Sequence, residues 1–134
     1  MASKVEFVDN SARFIGKIND ATEAALKEAA GEIEAAAKRN SRVDTGKTKG
    51  SYTNKISGNT AIIGSPLENA VWEEFGTGEY AIKGGRKGSW VYKDAKGNWY
   101  RTRGKKPNRP LQKAFDKVKP KIEKYFTTHF KGLD

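Results

Sequence analysis

The sequence predicts an α+β fold: a small antiparallel sheet of two hairpins, about four strands, packed against a long N-terminal helix and a C-terminal helix. Three observations carry that reading. Apolar residues recur at helical spacing over residues 11–39, β-rich runs then follow in two turn-joined pairs, and a second helical pattern closes the chain over residues 108–130. At 134 residues the chain makes one domain, 1–134, with residues 1–10 as an N-terminal arm.

In the first helix Ile15, Ile18, Thr22, Leu26, Ala29, Ile33 and Ala36 fall on one face. Alanine is abundant and proline absent, so propensity agrees with the pattern, and Asn10 or Ser11 can cap the start. The small residues on this face let the helix lie close to its neighbours.

Asn40–Gly50 reads as a polar loop, followed by a hairpin over residues 50–64 that turns at Ser57-Gly58-Asn59. Pro66 ends its second strand, since proline lacks the ladder donor. Asn69–Phe75 reads as one helical turn or an irregular edge, broken by Gly76-Thr77-Gly78. With Gly84, Gly85 and Gly88 added, residues 76–88 are expected to be a flexible loop that orders only against a neighbour.

The second hairpin, residues 89–103, pairs Trp90–Lys93 with Asn98–Thr102 across Asp94-Ala95-Lys96-Gly97, with one face expected to be buried. Asn108 can cap the last helix, Pro110 suits its first turn, and Leu111, Phe115, Val118, Ile122, Tyr125 and His129 mark its inner face. Pro120 predicts a bend or break near Lys119.

Composition narrows the function. No apolar run reaches the roughly 20 residues of a membrane helix, and the N-terminus lacks a signal-peptide plan. Cysteine is absent, which excludes disulfides and thiolate metal sites. The net charge of +10 is local: residues 83–109 hold ten Lys/Arg against Asp94, while residues 1–37 and 56–82 are net negative. Such a patch meets something negative, either nucleic acid or an acidic protein surface.

Several chemical motifs are hinted at and fail. Gly46-Lys47-Thr48 resembles the end of a phosphate loop, but position 41 is serine and the loop leaves a helix to enter a strand. Asp44-Thr45-Gly46 resembles an aspartic-protease triplet, but Arg42 and Lys47 would hold Asp44 ionised rather than sharing a proton. A turn is the simpler reading. His129 has no second histidine or cysteine to complete a metal set. Glu73 and Glu74 are adjacent, so their side chains diverge, and no nucleophile joins them. No catalytic residue, cofactor or metal is expected, and the chain is not expected to be an enzyme. Trp90, Tyr92, Trp99 and Tyr100 interleave with cations, a mixture that suits base stacking, but packing plus protein contact is the favoured reading.

The ordered motifs Asp44-Thr45-Gly46, Gly50-Ser51-Tyr52, Trp72-Glu73-Glu74-Phe75-Gly76-Thr77-Gly78, and Arg109-Pro110-Leu111 with Ala114-Phe115 resemble the gp-ten-like tail-component family of long-tailed phages. The resemblance spans about residues 11 to 126, and the Trp90–Arg101 hairpin is similar to members from Gram-positive phages. Its motif positions here are Asp44, Thr45, Gly46, Trp72, Phe75, Gly76, Thr77, Arg109 and Pro110. Two departures are Lys47-Thr48, where many relatives carry leucine, and Pro120 within the last helix.

The resemblance implies a virion structural protein of head–tail joining or tail completion. Copies would form a ring, sixfold in the family, at the head-proximal end of the tail tube. The implied partners are further copies, neck or connector proteins and the tail tube protein, with genome DNA passing through without sequence-specific binding. The implied location is the virion head–tail junction, after assembly from the host cytoplasm. On this reading Lys83, Arg86, Lys87, Lys93, Lys96, Arg101, Arg103, Lys105 and Lys106 form a protein-docking surface. The alternative is a small basic nucleic-acid-binding protein using the 89–106 hairpin, and a third reading is a phage-encoded inhibitor or toxin that binds a host protein.

Overall fold

The computed structural model describes residues 9–42, 46–82 and 84–133. The fold is α+β, built on a helix pair. Helix α1 (Ser11–Asn40) has 30 residues, about 45 Å of length. Its buried seam is Ala21, Ala25, Ala29, Ala30, Ile33, Ala36 and Ala37. Helix α4 (Pro110–Phe130) lies along this seam through Ala114, Val118 and Tyr125. The alanines of α1, met by Ala114 of α4, let the backbones approach closely, so the interface tolerates little added volume. His129 Nε2 meets Glu28 at 2.7 Å and Lys121 meets Glu32 at 3.9 Å along its edge.

The Asn40–Gly50 stretch, expected as loop throughout, contains a four-residue helix α2 (Lys47–Gly50). Strands β1 (Thr53–Ser57) and β2 (Thr60–Gly64) form the first hairpin, with Thr53 opposite Gly64 and Ser57 opposite Thr60. It packs on α1, and the Asn54 amide donates to Glu34 at 3.2 Å. Tyr52, just before β1, is fully buried in the core. Helix α3 (Glu68–Phe75) follows, then a 3-10 turn at Gly78–Tyr80. Strands β3 (Trp90–Lys93) and β4 (Trp99–Thr102) form the second hairpin, with Trp90 opposite Thr102 and Lys93 opposite Trp99.

The structure refines several expectations. The four strands form two separate two-stranded ribbons rather than one continuous sheet. Helix α1 packs on α4 and the first hairpin, whereas the second hairpin is anchored through residues 77–79 and 103–105. Asn69–Phe75 belongs to an eight-residue helix. Residues 76–82 of the expected flexible loop are tied down, with Ile82 N–H bonded to Phe75 O at 2.9 Å and Gly76 N–H to Trp72 O at 2.8 Å. The cap of α4 is Arg109, not Asn108. At the start of α1, Asn10 makes no side-chain cap bond; the Asp9 carboxylate instead accepts from Ser11 N–H at 2.9 Å. The helix around Pro120 is continuous, because burial of Val118 and Tyr125 on either side outweighs one missing hydrogen bond.

Candidate interaction surfaces

Helix α3 joins the two halves of the molecule. Its two adjacent carboxylates are almost fully buried, Glu73 at 3% exposure and Glu74 at 7%. They point in different directions, as neighbouring helical residues must. Glu74 reaches α4: its carboxylate accepts from Leu111 N–H and Gln112 N–H, both at 2.9 Å. Those donors lie in the first turn of α4, where backbone N–H groups lack partners and the helix dipole favours negative charge. Arg109 cannot cap them, because a guanidinium has no acceptor. Arg109 also holds a left-handed backbone, φ 56°, uncommon for a residue with a Cβ.

Glu73 turns towards the second hairpin. It pairs with the Lys105 ammonium and with Arg42 at 3.5 Å, and accepts from the Asn108 amide at 3.2 Å. Its backbone carbonyl accepts from Asn108 N–H at 2.8 Å and Arg109 N–H at 3.2 Å. Burial raises the Glu73 pKa, but Lys105, Asn108 and Arg42 together outweigh burial and hold it below the ordinary carboxylate range. Burial, with Glu74 and Glu73 nearby, pushes the Tyr52 phenol up.

The root of the second hairpin is equally constrained. Thr77 N–H bonds to Lys105 O at 2.9 Å and Glu79 N–H to Arg103 O at 2.9 Å. Lys105 N–H bonds back to Thr77 Oγ1 at 2.8 Å. The two segments run so close that a Cβ on Gly78 would strike the Arg103 carbonyl, and one on Gly104 would strike the Thr77 carbonyl. Both glycines also have positive φ.

Beyond this root the hairpin projects as an arm. The expected buried face is not formed: Tyr92, Trp99 and Tyr100 are 45%, 66% and 47% exposed. Tyr92 and Tyr100 pair across the strands, with ring centroids 5.6 Å apart. The Asp94 carboxylate accepts from Lys96 N–H and Asn98 N–H and so shapes the turn.

Many of the basic residues expected as a docking surface already have partners within the chain. Arg103 pairs with Glu79 at 3.3 Å, Lys105 with Glu73, and Lys106 lies over the Tyr80 ring. Arg86 stacks on Trp90 and Lys93 on Trp99. Arg101 donates to Ser89 Oγ at 3.0 Å. Lys93, Lys96 and Arg101 make no ion pair among the described residues and supply the outward charge of the arm, with exposed Lys87 beyond its root. Lys83, Asp44 and Thr45 lie outside the described residues.

Of the motif positions, Gly46 opens α2 with φ 80°, while Gly76, Thr77, Arg109 and Pro110 meet around Glu73 and Glu74. Trp72 and Phe75, two of the motif positions, are 46% and 41% exposed. The buried members of that motif are the two glutamates between them. The sequence offered Asn108 as a local cap, which concealed their role.

Two hollows flank α3. A cleft of about 690 Å³ is lined by Asn69, Trp72 and Glu73 on one side of the helix, and by Arg42, Thr48, Trp90, Tyr92 and Lys105 around it. A groove of about 660 Å³ opens on the other side, lined by Ala70, Val71, Glu74 and Phe75 with apolar residues of α1, β2 and α4. No group of His, Asp or Glu able to hold a metal occurs among the described residues. No helix among them is long and apolar enough to cross a membrane.

No family model matches the chain, and no curated protein or solved structure matches it either.

Proposed function

We propose that this chain is a structural subunit of the head–tail junction of a long-tailed phage, assembling as a ring that completes the head-proximal end of the tail tube and docks onto the neck. The observation that carries the reading is the convergence of its motifs. Trp72–Thr77 and Asn108–Leu111, far apart in sequence, interlock through Glu73 and Glu74. The residues on which the family resemblance rests thus serve as the joint of the fold, the part a scaffold family has reason to keep. The arm and the exposed Val71, Trp72, Phe75 and Phe115 add support. Apolar surface on this scale suits a subunit that works among neighbours.

The decisive experiment is to locate the protein in purified particles by mass spectrometry and electron microscopy. Density for it at the neck is expected; absence from intact particles would end the reading.

A second reading has its own observation. The arm exposes Tyr92, Trp99 and Tyr100 beside Lys93, Lys96 and Arg101, a combination that can stack bases and track phosphates. Submicromolar binding of single-stranded DNA at physiological salt, falling steeply as salt rises, would favour it.

A further inference from the structure

We propose that the cleft beside α3, lined by Trp72, Trp90 and Tyr92, takes an unpaired base and its phosphate from a single-stranded nucleic acid. This rests on the second, nucleic-acid reading above and places its site on the inner face of the arm.

The pairing of β3 with β4 gives the arm two unlike faces. Neighbouring strand residues alternate sides, and directly opposed residues share one. Trp90 and Tyr92 therefore share a face with their partners Thr102 and Tyr100, while Val91, Lys93, Trp99 and Arg101 form the other. The first face bounds the cleft through Trp90, Tyr92 and Thr102. Helix α3 adds Asn69 and Trp72, three residues apart and so on one side of the helix. At about 690 Å³ the cleft has the size of a small-ligand site.

The rings are set before a ligand arrives. Trp90 packs on Gly78, where no Cβ would fit, and carries Arg86 over its ring. Tyr92 rests against Tyr100. Trp72 and Tyr92 still expose almost half their surface. Rings held this way bind a flat partner at little ordering cost.

Charge then selects an anion. The two cations of the cleft, Arg42 and Lys105, both lean on Glu73. One buried carboxylate balances only one of them, and no other carboxylate among the described residues lines the cleft. Both cations are nearly half exposed and keep donors to spare. Arg42 has five N–H groups, and only its Nε and Nη2 face Glu73 and the Lys106 carbonyl. Lys105 has three, and Glu73 takes one.

A flat ring joined to an anion is a nucleotide. In a duplex the base faces are already stacked on one another, so the strand has to be single. Stacking accepts every base, because each has a π-face. Exposed Tyr100 continues the aromatic face beside Tyr92, so the surface runs on past one nucleotide and suits a strand rather than a monomer.

Anisotropy of a fluorescein-labelled oligothymidylate of about twelve nucleotides tests this on the full chain. Trp72→Ala is expected to weaken binding about tenfold, within the usual range for one stacked base, and Trp72→Phe to restore most of it. Trp99→Ala, on the opposite face, should leave affinity unchanged. Arg42→Gln should flatten the log–log salt slope by about 0.7, the share of one phosphate on a single strand. Thymidine monophosphate should compete poorly; equal affinity would make the ligand a free nucleotide and overturn the assignment to a strand. An iodouracil-substituted oligonucleotide, photo-cross-linked to the unsubstituted protein, should attach at Trp72, Trp90 or Tyr92, which locates the site even where a variant misfolds. Attachment at Trp99 alone, or binding lost with Trp99→Ala but not with Trp72→Ala, overturns the cleft and leaves the nucleic-acid reading of the arm standing. No oligonucleotide binding at all, or Trp72-dependent capture of a peptide rich in glutamate and tyrosine in its place, overturns both.

Discussion

The Glu74 carboxylate and the Leu111 backbone N–H meet at 2.9 Å across 37 residues of sequence, so α3 caps α4. Helix α4 supplies Ala114, Val118 and Tyr125 to the core, and its start depends on a side chain in another element. Glu74→Ala removes two charge-assisted hydrogen bonds from the half-buried first turn of α4, a loss of about 2–3 kcal/mol. Urea denaturation should show a lower midpoint with little change in slope. Glu74→Gln keeps the shape and one acceptor and should recover part of the loss.

Acid should act through Glu73. Its folded-state pKa is lowered, so the stability it contributes is fully present above the ordinary carboxylate range. That stability is lost as the pH falls through the depressed value. Urea midpoints measured from neutral pH downwards should drop across this acidic window. In Glu73→Gln the drop should be shallower, from a lower starting point. Equal slopes in the two proteins would remove Glu73 from this role.

Glycines in different settings should respond oppositely. A Cβ at Gly31, inside α1, meets nothing within 4 Å. Gly31→Ala should stabilise the fold by up to about 1 kcal/mol, the helix-propensity difference. Gly104→Ala places a methyl against the Thr77 carbonyl at φ 129° and should destabilise by about 2 kcal/mol or more. Thermal melts of the pair should move in opposite directions.

Pro120→Ala restores a donor to a helix that is continuous through the position. A stabilisation of about 1–3 kcal/mol is expected. A neutral result would mean that the Asp116 carbonyl is satisfied by other means.

Charge reversal at Lys96 and Arg101 should leave the melting temperature within a degree or two of the starting protein, since both lie on the exposed arm. Head–tail joining in a complementation assay should fail. Normal virion yield would show that the arm charge is dispensable there.

Much of the scaffold was legible. The 3.6-residue spacing of small apolar residues marks α1, and paired turn signals mark both hairpins within a residue or two of their observed strands. The joint was harder to see. Glu73 and Glu74 look like solvent-facing acids, since local sequence does not report that Lys105, Asn108 and the α4 N-terminus fold back onto them. The exposure of Trp72, Phe75 and Trp99 was hidden for a related reason. An aromatic residue on a short element reads as core until its neighbours are known, and here α1 packs instead on α4 and the first hairpin.

The crowded glycine crossing at the base of the arm separates two kinds of change. Beyond Arg101 and Val91, residues can be exchanged or the turn lengthened without disturbing the helix pair, because nothing in the core leans on them. At Gly78 and Gly104 even one added carbon forces the strands apart. A lineage could therefore retailor the tip to suit a new neighbour in few steps while inheriting the hinge point unaltered, and an engineer could graft a foreign loop there on the same terms.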